Sequence, residues 1–118
     1  MTRDELILKA IDQCMETATS EQKRIYVWMK AAIKYPDIET FIAEVKAATR
    51  GVDKVTLPSL RNAIDFAASY NEFLIRSLSV SDKEKDDMIK REKIRLKEVE
   101  VRITGILSYL GFLKDKLQ

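Results

Sequence analysis

Three times in this chain a Ser or Thr stands three residues ahead of a Glu or Gln and opens an apolar stripe: Thr2 with Glu5, Thr19 with Gln22, and Ser81 with Glu84. In such a capping box each side chain satisfies an orphan backbone N–H at a helix start, so the pattern marks where helices begin. With three glycines and two prolines in 118 residues, few positions break a helix once it has started. The spacing predicts an all-α fold.

Helix one carries Leu6, Ile7, Ala10, Ile11, Cys14, Met15 and Ala18 as one stripe at the 3.6-residue period, which makes Cys14 a core residue. Helix two carries Ile25, Trp28, Met29, Ala32 and Ile33 until Pro36 stops it near Tyr35. Asp37 caps helix three, which turns Ile38, Phe41, Ile42, Val45 and Ala48 inward and closes at Gly51. Residues 51–56 read as the most loop-like stretch, with Val52, Val55 and Leu57 leaving room for a short extended piece but no predicted strand. Thr56 and Pro58 restart helix four, whose inner face is Leu60, Ile64, Ala67, Asn71, Leu74 and Leu78. After a break at 79–81, helix five is expected from Asp82 to about Lys116. The expected architecture is a single helical domain over 1–118: three short helices in 1–50, then a long helical hairpin in 56–118. Helix four should lie on the first part of helix five, and helices one to three on its far end.

Helix five has two apolar faces. Leu96, Val99, Ile103, Ile106, Leu110, Leu113 and Leu117 form a heptad seam that extends back to Ile89. Nearly opposite stand Ile94, Val101, Gly105, Ser108 and Phe112, with Lys90 and Lys97 beside them. This second stripe implies a second neighbour, either another subunit or helices one to three. Internal packing is the ordinary use of the apolar segment from Gly105 to Leu113, where the small residues suggest close approach. For Ile94 and Val101, in a charged stretch, the two readings are evenly matched. Asp86–Lys90 and Asp87–Arg91 are spaced as supporting i, i+4 pairs.

A side stripe on helix four, Phe66, Tyr70 and Phe73, offers a groove for a partner helix, although aromatics at this spacing more commonly edge a core. Ile94, Val101, Lys90, Lys97, Phe66, Tyr70 and Phe73 are therefore the expected partner-binding residues.

Nucleic acid is the second class of partner that the charges suggest. Lys23, Lys30 and Lys34 share the outer face of helix two, and Lys90, Arg91, Lys93, Arg95 and Lys97 oppose Glu92 alone on helix five. Ala47, Gly51, Leu57 and Leu60 also fall at the spacing of a helix-turn-helix, which would make Lys54, Ser59, Arg61 and Asn62 groove-contacting residues. Lys46, Arg50 and Pro58 fit that motif poorly. A net charge of only +2 favours a solvated-face reading of the lysines.

The chain has no histidine, which removes the commonest acid–base group and the usual zinc sets, and no glycine-rich phosphate loop. No motif surrounds a nucleophile. We therefore expect no enzymatic activity, no cofactor, no metal and no small-molecule substrate. The opening Thr2-Arg3-Asp4-Glu5 lacks a signal-peptide layout, no apolar run has membrane-spanning length, and Cys14 is alone. The expectation is a cytoplasmic helical interaction protein, acting on a protein partner or on copies of itself.

Overall fold

The structure is a computed structural model that describes residues 3–48 and 54–113. Thr2, Arg50, Gly51, Val52, Lys116 and Leu117 lie outside the described residues, and with them the first capping box, the glycine closure of helix three and the end of the heptad seam. The described residues form five helices and no strand: α1 Arg3–Met15, α2 Ser20–Lys34, α3 Ile38–Ala48, α4 Leu57–Arg76 and α5 Asp82–Leu110.

The caps explain the starts. Thr19 and Gln22 form both bonds of their box: the Gln22 N–H donates to Thr19 Oγ1 at 3.2 Å, and the Thr19 N–H donates to Gln22 Oε1 at 3.1 Å. At α5 the Glu84 N–H donates to Ser81 Oγ at 3.1 Å. Asp37 Oδ2 accepts from the N–H and hydroxyl of Thr40, and these bonds hold its carboxyl below the usual carboxylate range. Thr56 caps α4 by accepting from the Ser59 N–H, and Pro58 sits in the first turn.

α5 stops at Leu110, earlier than the apolar pattern predicts. Gly111 adopts φ 77°, and the Phe112 N–H returns to the Leu107 carbonyl at 2.8 Å, a left-handed closure that few residues other than glycine accept. Gly111 is thus a terminator and not a close-packing position. At 1.5 Å per residue the 29 residues of α5 span about 44 Å, close to the longest dimension of the molecule, 45 Å.

One main core joins α1 through α5, centred on Ile7, Ile11, Trp28, Phe41, Leu60 and Ile103. A smaller cluster of Leu6, Ile75 and Ile89 ties the start of α1 to the end of α4 and the start of α5. α1 packs on α4 and α2, α3 packs on α2, and α5 packs on α4 and α2. Of the three N-terminal helices, α2 makes the most extensive contact with α5, while α1 and α3 reach it through Asp4–Arg95 and Phe41–Arg102. Ile38, expected inside, is the first residue of α3 and is 54% exposed.

Arg102 fastens α5 to the end of α2. Its Nη1 donates to the Ala32 carbonyl at 2.9 Å, and its Nη2 donates to the carbonyls of Tyr35 and Pro36, both at 3.0 Å. The guanidinium also lies 4.3 Å from the ring centroid of Phe41 on α3. The Ala32 carbonyl, left without its helical donor because Pro36 has no N–H, and the two carbonyls just past the helix end are met by a charged fork. Nearby, the Val55 N–H donates to the Phe112 carbonyl at 3.0 Å, and Val55 forms a single parallel bridge with Leu113.

Candidate functional site

The Phe66, Tyr70 and Phe73 stripe does not edge the core. Phe66 is 60% and Phe73 63% exposed, and with Tyr70 they wall a cleft of about 590 Å³ whose other sides come from the end of α1, the α1–α2 turn and α2. Tyr70 and Phe73 meet edge to face with ring centroids 5.7 Å apart. Periodicity placed these rings on one side of α4, but α1 covers only the neighbouring face.

Cys14 and Tyr26 form the floor. Cys14 is half-buried, packing against the main core on one side and lining this cleft on the other. Burial raises the Cys14 thiol above its ordinary value, partly offset by the hydrogen bond from the Tyr26 hydroxyl, and burial raises Tyr26 as well. Both groups are protonated at neutral pH. The residues around the cleft, including Gln13, Thr17, Gln22 and Ser69, carry no charge. Among the described residues lining the cleft, no base stands beside the thiol to activate it. Alkylation of Cys14 should accordingly be slow at pH 8 and rise with a midpoint above that of free cysteine. A midpoint at or below the free value, measured by thiol-labelling rates across pH, would contradict this assignment.

The outer face of α5 is the second exposed apolar surface. Ile94 is 62% and Val101 64% exposed, flanking a groove with Lys97, Glu98 and Arg102. Gly105 and Ser108 are exposed, Tyr109 is 79% exposed, and a Cβ at Gly105 would meet nothing within 4 Å. The expected enclosure of Gly105 to Leu113 is therefore overturned for this face. Phe112 and Leu113, just past the end of α5, are half-buried and pack against the main core, as internal packing predicts.

The basic residues are divided. Lys30 pairs with Asp12 at 2.6 Å, Lys93 with Glu72 at 3.5 Å, Lys97 with Glu100 at 3.1 Å, and Arg95 with Asp4. Lys30 and Lys34 also border a depression shared with Glu44 of α3. Lys23, Lys34, Lys54, Arg61, Lys90 and Arg91 are exposed or nearly so, and they are spread over α2, the segment before α4, α4 and α5 without forming one stripe. Asp86 reaches Arg76 across the turn at 3.4 Å in place of the expected i, i+4 partner Lys90, because the start of α5 lies against the end of α4. No Asp87–Arg91 pair forms within 4 Å among the described residues. A helix-turn-helix corner is not formed among the described residues: α3 packs on α2 and makes little contact with α4, Ala47 is exposed, and Gly51 lies outside the described residues.

Among the described residues, no group of three or more Cys, Asp or Glu is placed to hold a metal ion, and no helix is long and apolar enough to cross a membrane. The chain matches no protein-family model, no curated protein and no solved structure.

Proposed function

We propose that this chain is a non-catalytic helical interaction protein, a small assembly subunit, adaptor or regulator, in which the α4–α5 hairpin and the three shorter helices present apolar surfaces to a protein partner. The observation that carries this reading is the exposed aromatic wall of the α1–α2–α4 cleft, where Phe66 and Phe73 stand more than half in water. Contiguous apolar surface of this kind is unfavourable to leave bare and is characteristic of interaction sites. The uncharged lining suits the apolar side of a partner helix or loop better than a phosphate or a cation. A cytoplasmic setting belongs to the same proposal and rests on the free thiol of Cys14.

The test is the paired variant Phe66→Asp/Phe73→Asp. Both rings already face solvent, so its helicity and Tm should stay close to those of the parent. When the two proteins are immobilised and exposed to an extract of the cells that make them, the parent should retain a defined protein that the variant loses. Identical retained sets would refute the cleft as the binding site.

A further inference from the structure

The α1–α2–α4 cleft has the dimensions of a small-molecule pocket. Its volume of about 590 Å³ lies within the range of roughly 300–1,000 Å³ in which proteins enclose small organic ligands. Rings supply most of the α4 wall. Tyr70 and Phe73 meet edge to face, an arrangement that leaves a face of each ring uncovered by the other and so able to pack against a further ring. Phe66 and Phe73 stand more than half in water, so a planar guest laid on them removes exposed apolar surface without disturbing the core.

The lining also sets the charge and the polarity of the guest. Among the described residues no Asp, Glu, Lys or Arg borders the cleft, and an ionic group carried into it would give up its hydration with no opposite charge to meet it. The hydrogen-bonding groups that remain are rich in donors. Gln22 Oε1 is committed to the Thr19 N–H, which fixes the amide and leaves the hydrogens on its nitrogen. The Tyr26 hydroxyl donates to the Cys14 sulfur, which leaves the thiol hydrogen, and Ser69 adds a hydroxyl from α4. A guest that matches this lining carries an acceptor.

We propose that the cleft binds a small neutral aromatic compound bearing a hydrogen-bond acceptor, of which an aryl ketone is the simplest example. It is a ligand and not a substrate, because among the lining residues no base stands beside the thiol. The inference rests on the reading of this cleft as an open binding site, and it adds a small molecule that competes with the protein partner for Phe66 and Phe73.

The probe is 6-propionyl-2-(dimethylamino)naphthalene, a neutral fluorescent aryl ketone whose emission moves to the blue when it leaves water. Titrating the full chain into about 1 µM probe should give a saturable blue shift with a Kd of about 10–100 µM, as expected for a ligand of this size. The carboxylate analogue, 6-(dimethylamino)-2-naphthoate, keeps the rings and exchanges the ketone for a charge, and it should bind at least about tenfold more weakly. Two changes place the site. Ser69→Trp sets an indole at an exposed position that borders the cleft, and capping Cys14 with N-ethylmaleimide builds a ring onto its floor. Each should weaken ketone binding at least about tenfold with helicity unchanged. No blue shift up to about 500 µM protein, equal binding of ketone and carboxylate, or full binding by both blocked forms would overturn the inference. A protein partner lost in Phe66→Asp/Phe73→Asp, with no binding of the ketone to the parent, would remove this inference alone. Binding of the ketone with no protein captured would remove the protein-partner reading alone.

Discussion

Replacing Arg102 with alanine is expected to lower the stability of the protein by about 2–3 kcal/mol, which for a chain of this size moves Tm down by about 10 °C. Three carbonyls at the end of α2 lose a charged donor, and the Phe41 ring loses the guanidinium stacked on it. Charge-assisted bonds of this type contribute more than neutral ones, and the stacking adds about 0.5–1 kcal/mol. Arg102→Lys should recover less than half, because one ammonium cannot span three carbonyls and stack at once. Urea unfolding followed by circular dichroism measures this. A loss below about 0.5 kcal/mol would show that water replaces the arginine at no cost.

Trp28 carries the second large effect, and its two substitutions should differ sharply. Trp28→Ala should cost about 4 kcal/mol, the usual range for emptying a large buried aromatic site, which is a substantial share of a stability of about 5–15 kcal/mol. The side chain is fully buried in the main core. Yet its indole Nε1 has no hydrogen-bond partner among the described residues. Trp28→Phe should therefore cost only about 1 kcal/mol, since the smaller ring leaves some space but also removes a buried donor that nothing satisfies. Equal losses for the two variants would mean that the indole N–H is hydrogen-bonded in solution.

The parts of this fold that could be read from the chain are those set by neighbours within one or two helical turns. Thr19, Asp37, Thr56 and Ser81 cap helices because the groups they satisfy lie three residues away. Ile25, Trp28 and Met29 are buried because their stripe is apolar on one side only. Periodicity shows which residues share a face but not what covers it. That is why Phe66 and Phe73 looked like the edge of a core and stand in water, and why Gly105 looked enclosed and is open. Arg102 had no local signal at all, its partners being 66 to 70 residues away. The ion pairs of Lys30 and Lys93 had no local signal for the same reason: Asp12 and Glu72 belong to other helices.

The Arg102 clamp also bears on the order in which the molecule can assemble during synthesis. α1, α2 and α3 emerge first, with their caps and local turns already available. The carbonyls at the end of α2, however, have only water to bond until residue 102 has been made, and the Val55 N–H waits for residue 112. Until then the end of α2 is unfastened, and the Phe41 ring lacks the guanidinium that stacks on it. The late arrival of α5 converts a set of tethered helices into a closed structure, so a stalled or truncated product ending before residue 102 would present that unfastened end to chaperones and proteases.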